Sequence, residues 1–272
     1  MEKIFYNLSN PQKSILLTEQ YYANTNINNI CGTAIINEKL DFDLLEKALN
    51  NLIKENDSFL LKISKINDEF VQYIKQYEFI PIELISLNSK EEISNLENSM
   101  LKKIFNIEDK LFEIKMFKLP DGSGGFTINV HHIIADGWTL GLISRKTIIN
   151  YSILNGNTSE ESLSYSYIDY LKSEKEYIKS EKFLKDKEYW QNIFKTIPNL
   201  IEIPGSLTNK DEFSCTANRE SFIINKELVT NIQNYCKENK ISVFNFFMAI
   251  ISIYMYKISN INDFVIRNTN FK

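Results

Sequence analysis

This 272-residue chain has only two histidines, and of its 31 basic residues only Arg145, Arg219 and Arg267 are arginine. A zinc centre takes three or four protein ligands. With no third histidine and with Cys31, Cys215 and Cys236 far apart, no metal site is expected. Three widely spaced cysteines also fail to make a disulfide framework, and they fit buried free thiols in a reducing cytoplasm. The apolar run Phe246 to Tyr256 is broken by Ser252 and is too short to span a bilayer. Met1 to Ser9 lacks the apolar core of a signal peptide, so a cytosolic protein without a membrane partner is predicted. A net charge of −4 with no basic block argues against nucleic-acid binding, because phosphate recognition needs clustered Lys and Arg. What remains, 43% hydrophobic and 24% charged residues, is the composition of an ordinary globular protein.

Both histidines stand in Val130-His131-His132-Ile133-Ile134-Ala135-Asp136-Gly137-Trp138. Phe126 to Val130 alternates apolar and polar residues, the period of a half-buried strand. Continued through the pair, the alternation puts His131 on the face of Thr127 and Asn129, and His132 with Phe126, Ile128 and Val130. Trp138 to Leu154 has helical apolar spacing, so a helix should begin after Gly137, with Asp136 near its N-cap and Gly137 taking a backbone that a side chain would forbid. An imidazole with a pKa near neutrality is suited to take a proton from an attacking amine or hydroxyl. A bare histidine pair is more commonly a hydrogen-bonded core feature, and both readings stand on spacing alone.

The coarse pattern predicts helices near 10–22, 41–55, 89–104, 138–155, 166–178 and 181–195, and strands near 29–37, 58–64, 68–75, 111–118 and 125–131. The mixture points to an α+β fold. Asp121 to Gly125 reads as a hairpin turn; as a phosphate-cradling loop it lacks the following helix and the lysine. Periodicity fades over 198–214, which is read as a linker between a subdomain at 1–197 and the beginning of a second at 215–272. Two further helices are expected at 225–239 and 242–258. The second is apolar almost all round and so expected to be buried; if the rest of the second subdomain is absent, it has to bury itself on the first, on another copy or not at all, with self-association or poor solubility as a consequence.

His-His-x-x-x-Asp-Gly at a strand end resembles the signature of the chloramphenicol acetyltransferase-like superfamily, and the chain looks like a condensation domain of nonribosomal peptide synthetases. Further segments are similar in order: Leu8 to Leu16 with Ser9 and Gln12; Lys39 to Leu49; Phe105 to Phe112; Tyr167-Ile168-Asp169-Tyr170; Tyr189-Trp190; and Val243 to Ile258 followed by a strand at 263–266. Two departures stand out. Leu60 replaces the arginine that usually pairs with the motif aspartate, which leaves Lys62, two residues on along the expected strand, as a candidate partner for Asp136. The chain also stops at Lys272, where the second half of such a domain would have barely begun.

The resemblance implies a chloramphenicol acetyltransferase-like sandwich and an acyl transfer. An aminoacyl or peptidyl group on the phosphopantetheine arm of an upstream carrier protein would be attacked by the amine of a downstream carrier-bound aminoacyl group, giving an amide. It assigns His132 to the reacting centre, His131 and Asp136 to shaping the loop, and the Gly137 N–H to the developing charge. No cofactor is expected on the domain itself. Peptidyl carrier proteins and an adjacent adenylation domain are the implied partners. An O- or N-acyltransferase of the same superfamily, moving an acyl group from coenzyme A or a carrier to an alcohol or amine, and a non-catalytic carrier-docking scaffold are the alternatives, with epimerisation a lesser one.

Overall fold

A computed structural model describes residues 3–157, 166–198, 201 and 222–266. The chain divides into two compact units, Met1–Ser180 and Glu181–Lys272. All but Pro198 and Ile201 of the 198–214 linker lies outside the described residues.

The first unit runs β1 (Tyr6–Asn7), α1 (Asn10–Tyr21), β2 (Asn29–Ile36), α2 (Phe42–Glu55), α3 (Asp57–Leu60), β3 (Leu61–Ile66), β4 (Glu69–Ile74), β5 (Glu83–Ser86), α4 (Glu92–Leu101), β6 (Phe112–Lys118), β7 (Gly124–His131), α5 (Gly137–Leu154) and α6 (Tyr167–Ile178). The strands form two sheets, β1-β4-β3 and β2-β7-β6-β5, antiparallel throughout except for β5 beside β6. This is the mixed helix and sheet architecture that the sequence pattern predicts.

The alternation of β6 and β7 builds the core. Phe112, Ile114 and Met116 join Phe126, Ile128 and Val130 on one face, under Leu45, Leu49, Leu52 and Ile53 of α2 and Ile143 of α5. On the opposite face Phe117 packs with Ile93, Leu96 and Met100 of α4. Thr127 and Asn129 point the same way as Phe117, and Asn129 donates from Nδ2 to the Met100 carbonyl at 2.7 Å. Every residue of β7 is therefore buried, although its pattern predicts a half-buried strand. Alternation records the polarity of the two faces, and α4 supplies a cover that local sequence does not encode.

The β6–β7 hairpin is the turn that Asp121 to Gly125 predicts. Asp121 Oδ1 accepts from the Ser123 N–H at 2.9 Å and Gly122 takes φ +85°. Gly124 and Gly125 serve close approach: a Cβ at Gly125 would lie 1.9 Å from the Ala34 carbonyl oxygen of β2.

Two expectations fail here. Residues 57–60 form the short helix α3 rather than the start of a strand, which removes the strand geometry that set Leu60 and Lys62 on one face. Asp57 caps a neighbour instead, accepting from the Tyr167 N–H at 2.8 Å at the start of α6. The two-residue β1 and the edge strand β5 are missed by the pattern, being too short to carry a period.

In the second unit lie α7 (Glu181–Ile193), α8 (Lys226–Glu238) and α9 (Val243–Ser259), close to their predicted spans. Asn225 and Ser242 cap α8 and α9 by accepting from Leu228 N–H and Asn245 N–H. Within this chain α9 does not find that burial: none of its residues is buried, and Ile253 and Tyr254 are 56% and 59% exposed. Its contact with α8 is an edge-on pair, Tyr235 with Phe246, which covers only one side. The strand expected at 263–266 is absent from the described residues, where no neighbouring strand offers its backbone a partner.

Among the described residues, no single helix is long and apolar enough to cross a membrane.

Candidate active site

β7 delivers the histidine pair, and the chain turns at its end. The His131 N–H donates to the Leu111 carbonyl, the His132 N–H to the Asn28 carbonyl at 2.7 Å, and the Ile134 N–H back to the His131 carbonyl at 3.1 Å. His131 keeps the predicted face with Thr127 and Asn129 and is 2% exposed. His132, one residue past the end of β7 at the start of the turn, is exposed. The two adjacent imidazoles thus have different surroundings, one buried and one in solvent.

Their hydrogen bonds assign opposite tautomers. The Ile133 N–H donates to His131 Nδ1 at 3.2 Å, so that nitrogen carries a lone pair and Nε2–H donates to Glu19 Oε2 at 3.2 Å. His132 Nδ1 lies 2.8 Å from the Ala135 carbonyl oxygen, which can only accept, so Nδ1 holds the proton and Nε2 is left with a lone pair. Burial pushes the His131 pKa below its ordinary value, against a smaller upward pull from the Glu19 carboxylate.

Asp136 is the N-cap of α5. Its Oδ1 accepts from the Thr139 N–H at 2.8 Å and from Thr139 Oγ1 at 2.6 Å, while the Asp136 N–H donates to Thr139 Oγ1 at 3.1 Å. This reciprocal box corrects the pairing with Lys62: the aspartate finds its partner three residues on, and no ion pair joins it to Lys62 among the described residues. Thr139 is visible in the sequence at the capping-box position, but attention to the lost arginine hides it.

Gly137 opens α5 with a φ outside the left-handed region, which corrects the expectation of a glycine-only backbone. A Cβ there would meet nothing within 4 Å, so the glycine leaves open space beside the first, unpaired N–H groups of a helix. Trp138 is 77% exposed next to it.

Helix α1 braces this turn from behind, a role that sequence reasoning misses. Ser9 and Gln12 form the capping box that starts α1. Gln12 then reaches on, donating from Nε2 to Gln72 at 2.8 Å and to the Ile133 carbonyl at 3.3 Å. Tyr167 meets Ser9 through their hydroxyls at 3.0 Å, and burial pushes its pKa up to about 12, while Asp169 pairs with the neighbouring Lys172 at 2.8 Å. These two residues are occupied in packing and capping. Tyr189 and Trp190 lie in the second unit on α7, exposed and in edge contact at 5.3 Å.

Cys31 lies beneath α4, where burial and Glu97 push its thiol up to about 12, and Cys236 is buried in α8. Cys215 lies outside the described residues.

The mixed helix and sheet fold is that of solved condensation domains, the chloramphenicol acetyltransferase-like fold. The condensation domain of the Monacolin K polyketide synthase MokA aligns with 96% of this chain and 61% of its own at a TM-score of 0.77 and 13% identity. The starter condensation domain of the rhizomide synthetase RzmA aligns with 70% of this chain and 48% of its own, at a TM-score of 0.62 and 23% identity.

The family model described as "Condensation domain" matches residues 2–269, and the chain belongs to that family. It is 32% identical over 274 residues to surfactin synthase subunit 1 of Bacillus subtilis (strain 168) and 23% identical over 265 residues to bacitracin synthase 3 of Bacillus licheniformis. Both alignments cover 97% of this chain but only 8% and 4% of the relatives, so the chain spans less than a tenth of their length.

Proposed function

We propose that this chain serves amide bond formation between a carrier-protein-bound acyl donor and an aminoacyl acceptor, with His132 at the reacting centre. The observation that carries the reading is the exposed His132 imidazole, whose Nδ1–H is tied to the Ala135 carbonyl and whose Nε2 is free to accept a proton. An acceptor amine meeting Nε2 would attack the thioester carbon and give up a proton to the ring. The tetrahedral intermediate collapses with loss of the thiolate, which takes that proton, and the amide is left. The Gly137 N–H, in open space at the head of α5, is the donor assigned to the developing oxyanion. Asp136 fixes the helix start through Thr139, and His131 holds the turn from inside.

The donor and acceptor come on phosphopantetheine arms of upstream and downstream peptidyl carrier proteins, beside an adenylation domain, in the cytoplasm. Membership of the condensation family and the length of the synthetases it resembles support these partners. The domain binds no cofactor of its own in this reading. Residues 1–197 form the N-terminal subdomain, 198–214 the linker and 215–272 the beginning of the second. A donor carried by coenzyme A is the second reading; a RzmA starter condensation domain variant has been solved in complex with C8-CoA and Leu-SNAC.

The test is an acyl-transfer assay read by mass spectrometry, with a carrier-bound aminoacyl donor and an amine acceptor, run alongside His132→Ala. Amide product lost in the variant supports the reading. Product that persists in His132→Ala removes His132 from the reacting centre. Replacing the carrier by coenzyme A separates the two donors.

A further inference from the structure

We infer that Glu19 is a positioning residue for His132, acting through a closed ring of hydrogen bonds with His131 and Asn28; the inference rests on the reading of His132 given above. Glu19 Oε2 accepts from His131 Nε2–H at 3.2 Å and from Asn28 Nδ2 at 2.7 Å. The Asn28 carbonyl accepts the His132 N–H at 2.7 Å, and the peptide bond from His131 to His132 closes the loop. The ring is sheltered: His131 is 2% and Asn28 7% exposed, and the Glu19 side chain 16%. Phe105 stands edge-on to the His131 ring, with centroids 6.3 Å apart.

Each link does a separate task. Helix α1 supplies the carboxylate and the start of β2 supplies Asn28, so two elements remote in sequence fix one turn. The carboxylate oxygen can only accept, which holds His131 with its proton on Nε2 and leaves Nδ1 free for the Ile133 N–H. That bond shapes the chain from Ile133 to Ala135, whose carbonyl in turn holds the His132 proton on Nδ1. Glu19 thereby favours the tautomer of a ring it does not touch. Without it, His131 could turn over or change tautomer, and the constraint on the Ala135 carbonyl would relax.

The chain has two histidines, so imidazole nitrogen NMR on the 15N-labelled protein gives two patterns, and His132→Ala assigns them. The expected result is Nε2–H for His131 and Nδ1–H for His132. In Glu19→Ala both fixed patterns should be lost to tautomer averaging, with turnover of amide formation falling about 10- to 100-fold and KM little changed. Glu19→Gln, whose amide oxygen still accepts from both partners, should retain them. A purely structural glutamate would lower the unfolding temperature and leave the His132 tautomer as it was.

His131 carrying its proton on Nδ1, or Glu19→Ala leaving both patterns intact, overturns the inference. If Glu19→Ala fails to fold, Glu19→Leu decides, since it keeps the helix and fills the same space without offering His131 an acceptor. Averaged His131 signals then support the ring, and unchanged ones overturn it. The NMR signals report the ring whether or not the chain transfers an acyl group. An inactive protein with the tautomers described would therefore count against the function alone.

Discussion

Strand β7 and helix α9 are both rich in apolar residues, yet every residue of β7 is buried and none of α9 is. β7 carries Thr127, Asn129 and His131 in its interior with polar partners as well as apolar cover: Thr33 for Thr127 at 2.9 Å, the Met100 carbonyl for Asn129 Nδ2, whose Oδ1 stays buried without a partner among the described residues, and Glu19 for His131. α9 has Phe, Ile, Tyr and Met on all sides, and its neighbours, α8 among them, leave every one of its residues at least partly exposed. Burial is thus a property of what packs against an element. Polar residues survive inside when paired, and apolar ones stay outside when nothing meets them.

The contrast breaks most visibly in stability. Phe126→Ala, at a site 1% exposed, should cost about 3–5 kcal/mol in a denaturant titration. Gly125→Ala should cost at least about 2 kcal/mol, because its Cβ would meet the Ala34 carbonyl. Ile253→Ser on α9 should cost under about 0.5 kcal/mol if α9 is as open in solution as in this chain. A loss of about 2 kcal/mol or more there, or a mass by light scattering that falls on mutation, would show that another copy covers α9, as the composition leads one to expect.

A smaller effect concerns pH. The folded pKa of His131 lies below its unfolded value, so the unfolded chain binds the extra proton first. Stability from the neutral ring is complete above about pH 6.5 and declines as pH falls from there toward the folded pKa. The unfolding midpoint should fall as pH drops below about 6.5, and His131→Asn should flatten that slope. The smallest effect is chemical: Cys31, with its thiol pushed up to about 12, should resist alkylation at about pH 8 in the folded protein and react on unfolding.

How much of the fold and the site is legible in the sequence follows from the range of each signal. Period marks α1, α2, α5 and β7 almost to the residue, and Asp136 is legible as the cap of α5; Ser9 and Asp41, which cap α1 and α2, act within the same three positions but are not read as caps from the sequence. The motif marks the right turn, and strand alternation places His131. His132 lies one residue past the end of β7, where the turn begins and a strand period has nothing more to say. Glu19 and Asn28 are unreadable as site residues: they stand 112 and 103 positions before His131, and only the fold brings them there. The pairing of Lys62 with Asp136 rests on parity with Leu60 along one strand, and Leu60 lies in a helix.

The mutual pair of Gln12 and Gln72, each side-chain amide donating to the other's oxygen at 2.8 and 2.9 Å with Gln72 wholly buried, carries a consequence for folding fidelity. Gln72 sits opposite Ile63 on one side and Tyr6 on the other. A slip of β4 by one residue would turn this amide to the opposite face and bring Val71 or Tyr73 to Gln12, leaving two interior amides unmatched. Apolar side chains tolerate many alignments, whereas this pair accepts one. The small sheet is therefore proofread by its most polar interior contact, on the same helix that steadies the histidine turn.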